Sequence, residues 1–231
     1  MRYSIDEIIQ CGRDWSYHKI SPNGRWRSWE HCYSLFAEYK DKKMSMSDDD
    51  YDYLSLHLAF YLASWGMYRG SCFILHRDYK IHIPTIKALM KPDYNCLWDI
   101  KCSDYLDNAN NILQLMHVTD NLLDIYLPIR DEVSVALGKG EPESELSQTL
   151  VTKILMGTLG RVPAFDTLFI EGRKGVIRER KYNSESIRAL SRFWVKHETE
   201  FETLRLEVSS PELLYPQFKV LDMCFNRRGQ K

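Results

Sequence analysis

The sequence predicts an all-α protein, and three observations predict it. Apolar residues recur at steps of three, four and seven along most of the chain, and helix-starting residues stand before most of those runs. No stretch alternates apolar and polar for more than a few residues, and no internal repeat is present.

Taken in order, Ser4 with Glu7 three positions later forms a capping box ahead of Ile8 and Ile9. Ser21-Pro22-Asn23-Gly24 reads as a turn, and Trp26 to Tyr39 as an aromatic-rich helix. Ser47 followed by Asp48, Asp49 and Asp50 caps the next helix, with three negative charges at its positive end. That helix contains Tyr53–Tyr68, free of formal charge but interrupted by His57 and Ser64. A membrane span needs about 20 apolar residues, so this run predicts a central helix buried on most sides. Gly66 and Gly70 loosen its end, and Ser71–His82 fits either a helix or a short extended segment.

Pro84 starts a short helix through Met90, and Pro92 stops it. Ser103 caps a run with Leu106, Ile112, Leu113 and Met116, and a further helix covers Asp120–Leu137, bent or divided at Pro128. Leu137–Ser147 is the most polar segment and sets a boundary between lobes at residues 1–137 and 138–231, unless the two form a single domain. Ser144 or Ser147 caps a helix with Leu150, Ile154 and Leu155, which Gly160 stops. After a short bridge, Pro163 opens a helix with Asp166 in its first turn. A loop around Arg173–Asn183 precedes a helix with Ile187, Leu190, Trp194 and Phe201, and Pro216 opens the last, with Phe218, Leu221 and Phe225.

Composition bounds the function. At 231 residues, 44% apolar and 27% charged, the chain is of ordinary globular type. Its net charge of −1 excludes coating of nucleic acid or anionic membrane by bulk attraction, and leaves only local patches. Aromatics make up 13% and suit a core or the lining of a groove. Six dispersed cysteines with no Cys-x-x-Cys pair, behind an N-terminus without signal-peptide character, predict reduced thiols, a cytosolic location and no zinc. No cofactor fingerprint or phosphate loop is present, and the pairs Asp104/Asp107 and Asp120/Asp124 read as exposed faces rather than metal ligands.

Residues Thr152–Phe169 resemble a piece of the helix-hairpin-helix base-excision DNA glycosylases. Thr152-Lys153-Ile154-Leu155-Met156-Gly157-Thr158-Leu159-Gly160 is similar to the family's helix leaving the hairpin, and Val162-Pro163-Ala164-Phe165-Asp166-Thr167 to the stretch carrying its catalytic acid. The closing Phe218–Gly229, with Asp222, is similar to a C-terminal helix of divergent relatives. The resemblance implies Asp166 as the catalytic carboxylate at the mouth of a base pocket. The family's Gly-x-Gly hairpin turn has no counterpart in Glu143–Gln148, although Gly138-Lys139-Gly140 lies upstream. The family's Schiff-base lysine position is not filled, and there is no four-cysteine cluster.

Within Glu171–Arg192 seven basic residues face three acidic ones, and Arg173, Lys174, Arg178, Arg180 and Lys181 form the leading phosphate-contacting surface. The partner expected on this reading is DNA or RNA. Two further readings stand beside it. One is a non-catalytic helical module that binds a protein partner or a second copy of itself. The other is a HEPN-type ribonuclease, which pairs an Arg with a His four to six residues on. Arg77/His82 matches that spacing best, with both residues expected as solvated loop side chains, ahead of Arg13/His18, Arg25/His31, Arg69/His76 and Arg192/His197.

Overall fold

The first helix packs against the last, which brings the two ends of the chain together. The computed structural model describes residues 3–16, 24–139 and 146–231. Among these, the regular structure is helical throughout, with no strand. The expected turn at Ser21–Asn23 and the residues Gly140, Glu143 and Ser144 lie outside the described residues.

Helix α1 (Ile5–Ser16) starts directly after Ser4 and buries Ile8, Ile9, Cys11 and Trp15. Helix α2 (Arg27–Tyr39) buries Trp29, Cys32, Tyr33 and Phe36. Ser47 caps α3 (Asp48–Ser64) reciprocally with Asp50, whose carboxylate accepts from the Ser47 backbone N–H at 2.7 Å. Residues after α3 form two 3₁₀ turns, Phe73–His76 and Tyr79–His82, and lead into α4 (Ile83–Leu89) with Pro84 in its first turn. Pro92 opens another 3₁₀ turn through Leu97.

The centre belongs to α7 (Gln148–Thr158), not to α3. Every residue of α7 from Leu150 to Thr158 is buried, whereas α3 exposes Tyr53, Leu56 and Phe60 along one side. The expected central burial of the Tyr53–Tyr68 run therefore holds for only half of α3. Ser147 supplies the α7 cap, accepting from the Thr149 N–H.

Two other expectations give way. Ser103 makes no cap hydrogen bond; a short α5 (Asp104–Asp107) ends at Asn108, and Asn108 caps α6. Helix α6 then runs unbroken over Ala109–Ala136 with Pro128 inside it. A proline removes one backbone donor, and buried Leu122, Tyr126 and Val133 on either side hold the helix through that loss. Conversely, the run from Ile187 to Phe201 is not one helix. It breaks at His197 into α9 (Ser184–Lys196) and α10 (Glu198–Val208), and the corner stacks Trp194 on Phe201 at 4.9 Å.

Helices α8 (Thr167–Gly172) and α11 (Gln217–Arg228) pack closely, and α11 also lies on α1 and α10. Buried apolar side chains form one cluster from Ile8 to Phe225, drawn from both sides of residue 138. No helix among the described residues is long and apolar enough to cross a membrane.

Candidate functional site

Helix α7 ends at Gly160, which adopts φ +68° and sends its N–H back to the Leu155 carbonyl at 2.9 Å. A side chain there would also collide, since a Cβ would lie 2.5 Å from Pro216 Cγ and 2.8 Å from Tyr33 Cε2. The bridge to α8 is then pinned by three side chains. Thr152 Oγ1 accepts from the Phe165 N–H at 3.0 Å, Thr149 Oγ1 donates to the Phe165 carbonyl at 2.9 Å, and Asp222 Oδ1 accepts from the Ala164 N–H at 3.0 Å. Pro163 sits inside this bridge rather than at the first helical position, and Asp166 is the cap of α8 rather than part of its first turn. The reason is local: three side chains hold the residues after Pro163 in a bridge, so the helix starts at Thr167.

The two oxygens of Asp166 have different surroundings. Oδ1 accepts from the Phe169 N–H at 3.0 Å, and Oδ2 lies 3.7 Å from Lys153 Nζ. The side chain is about one-fifth exposed and lines a cavity of about 630 Å³, with Trp15, Arg25, Trp65, Arg69, Lys153 and Asn226 among the other walls. Trp15 and Trp65 stand nearly parallel, with 6.5 Å between ring centroids and 10° between planes.

Lys153 projects from the buried part of α7 and donates to the Trp65 carbonyl at 2.8 Å. Burial pulls its ammonium below the ordinary lysine range, opposed by Asp166 and Asp222 and assisted by repulsion from Arg69. Behind it, Lys219 and Asp222 form a second, deeper pair at 3.2 Å. Burial pushes the Asp222 carboxyl up, against the pull of Lys219. The Lys219 ammonium lies 4.8 Å from the rings of Trp15 and Trp29 and 5.6 Å from Trp65. These aromatic and cationic partners come from α1, α2, α7 and α11 and from Trp65, the residue that follows α3. One trace of them is visible in the sequence, a lysine inside the apolar run Val151–Met156 and another beside Phe218.

The basic loop divides. Lys174, Arg178, Arg180 and Lys181 are exposed, and Lys174 pairs with Glu171. Arg173 differs from the expected surface contact. It is 1% exposed, its guanidinium lies 4.9 Å from the Phe165 ring and 5.6 Å from Phe169, and its nitrogens are sealed from solvent. Two phenyl faces beneath the loop are wide enough to draw the side chain inward, and burial brings its pKa down to about 10.

The Arg77/His82 pair does not form a solvated site. His82 is buried and bonded to Tyr126 Oη at 2.5 Å and Tyr68 Oη at 2.8 Å, while Arg77 pairs with Glu132 at 2.9 Å. A lone imidazole among phenols reaches no phosphodiester. His18 lies outside the described residues. Among the described residues no group of His, Cys, Asp and Glu is arranged to hold a metal ion, and all six cysteines are free thiols.

Compared with known proteins, the chain matches no family model, no curated protein and no solved structure.

Proposed function

We propose that this protein hydrolyses the N-glycosidic bond of a nucleoside unit, with Asp166 as the acting carboxylate. The supporting observation is the asymmetry of that side chain in a residue that lines a concave cavity: Oδ1 is fixed on the backbone of α8, and Oδ2 lies beside the Lys153 ammonium. Breaking the bond between sugar C1′ and the base nitrogen leaves the electron pair on the base and positive charge on the sugar. A fixed carboxylate stabilises that charge and orients a water, whose oxygen bonds to C1′ as the carboxylate takes its proton. The departing base needs a proton, and Lys153, made more acidic by burial, stands beside the carboxylate to supply it.

The aromatic walls suit a base. Trp65 is partly exposed at the cavity wall, where a base can rest beside Asp166. On this reading the chain is a diverged relative of the helix-hairpin-helix glycosylases, and Lys174, Arg178, Arg180 and Lys181 are the loop residues offered to strand phosphates.

Incubation with DNA, RNA, nucleosides and nucleotides, with mass-spectrometric detection of freed base, tests the reading. The wild type should release a base, and Asp166→Asn should lose at least about a hundredfold in rate while staying folded. Equal release by the variant, or no release by the wild type from any of these substrates, would sink it.

One observation favours a second reading, a protein-interaction module. Tyr53, Leu56 and Phe60 give α3 an exposed apolar stripe. Light scattering of the wild type against a Leu56→Lys/Phe60→Lys variant would show whether that stripe joins two copies; monomers in both cases would count against self-association.

A further inference from the structure

Three cationic side chains converge on one dipeptide at the cavity's edge, Trp65-Gly66. The Arg25 guanidinium lies 5.0 Å from the Trp65 ring. Lys153 Nζ donates to the Trp65 carbonyl at 2.8 Å. Arg69 folds back across Gly66, close enough that a Cβ on Gly66 would lie 2.8 Å from Arg69 Nε and 3.0 Å from its Cζ. Gly66 has φ +77°, so the turn that permits this approach favours glycine on two counts.

All three cations line the Asp166 cavity, and Asp166 is the one acidic residue among its described walls. Three positive charges against one negative leave an excess of two. Arg25 and Arg69 are exposed and make no ion pair among the described residues, so they are not held there by a protein counter-charge. Like charges repel, and Arg69 acts on Lys153 in that sense. A cluster of this kind is relieved by an anion carrying about two charges. Phosphate at neutral pH carries about 1.5 to 2, and guanidinium forks match its oxygens two at a time.

We infer that Arg25 and Arg69 bind a phosphate carried by the nucleoside that occupies this cavity. The substrate is then a phosphorylated nucleoside, either a free nucleotide, whose monoester carries about two charges, or a strand unit, whose two flanking diesters carry one charge each. This inference rests on the nucleoside reading of the cavity and adds to it the group that anchors the ligand. It also separates the anchoring phosphate from the Arg178–Lys181 loop, which follows the C-terminal end of α8 while Asp166 caps its beginning.

Isothermal titration tests it, with the four common nucleosides, their 5′-monophosphates, single-stranded pentanucleotides of each base and inorganic phosphate. At least one phosphorylated ligand should bind about ten- to a hundredfold more tightly than its nucleoside, the range expected for charge-assisted contacts. The Arg25→Ala/Arg69→Ala variant should bring it down to the nucleoside's affinity. Tighter Arg-dependent binding of the mononucleotide than of the pentanucleotide identifies a free nucleotide; Arg-dependent binding of the pentanucleotide alone identifies a strand. A phosphate advantage that survives in the double variant, or no phosphate advantage for any base, would overturn the inference. The two proposals fail separately. Asp166→Asn abolishing base release, with no effect of the arginine variant on KM, would remove the phosphate site and leave the hydrolysis. Arginine-dependent binding without base release would do the reverse.

Discussion

Replacing Asp222 with Asn removes the counter-charge of Lys219 without changing the side chain's shape. Lys219 is 2% exposed, and Asp222 is its one ion-pair partner among the described residues. Removing one member of a buried pair costs about 3–5 kcal/mol, because a charge is left in a poorly polarisable interior. Two features hold the cost at the lower end. Asparagine still offers an oxygen to the Ala164 N–H, and the faces of Trp15, Trp29 and Trp65 remain around the ammonium. We therefore expect a loss of about 3 kcal/mol. For a domain of this size each kcal/mol moves the thermal midpoint by roughly 2–4 °C, so Asp222→Asn should melt about 6–12 °C lower at pH 7. Adding Lys219→Met removes the stranded charge and should restore most of that loss. Melting followed by circular dichroism reads both effects. A single variant within about 1 °C of wild type, or a double variant no better than the single, would refute the account of the pair.

Two further expectations follow from the packing. His82 has its pKa pulled down to about 3 by burial, against 6.5 for an ordinary histidine. Between those values the unfolded chain takes up a proton that the folded chain refuses, so stability falls on acidification through that window. At pH 4.5 this amounts to roughly 3 kcal/mol relative to pH 7; urea titrations at the two pH values should show it in the wild type and not in His82→Gln, and an unchanged difference would contradict it. Gly172 allows α8 to approach α11, since a Cβ there would fall inside contact with the Phe225 carbonyl and 2.9 Å from the Gly229 nitrogen. Gly172→Ala should cost about 3 kcal/mol or more, at the upper end of overpacking effects, and a melting point unchanged within about 1 °C would show that the two helices separate freely.

The parts of the fold that were legible in the sequence are those decided within a few residues. Ser47 before three aspartates, Ser147 before α7, Gly160 behind it and Pro216 before α11 each act on the nearest backbone groups, and each stands where its chemistry places it. What was not legible depends on distant partners. Pro128 is harmless because α6 is anchored on both sides of it, and the corner at His197 follows from Trp194 stacking on Phe201. Arg173 sits in a basic run but is drawn onto Phe165 and Phe169, which belong to the bridge and to α8.

The candidate site divides in the same way. Asp166 could be found from its neighbours, because an acid after Pro163 and before an apolar helix is a local pattern. Its surroundings could not, since Trp15, Trp65, Lys153 and Asn226 lie on four different segments that only the folded chain assembles. A charged residue within an apolar helical run, as at Lys153 and Lys219, was the available signal. It marks a side chain that the fold must pair or put to use.

The central claim is that the Asp166 oxygen not held by the α8 backbone faces the sugar of a bound nucleoside unit. A crystal structure of Asp166→Asn with a bound nucleoside monophosphate measures this directly. The base should lie in the cavity walled by Trp65, with C1′ within about 3.5 Å of the residue 166 side chain or bridged to it by one water. A ligand bound elsewhere on the protein, or seated in the cavity with its sugar turned away from residue 166, would contradict the claim.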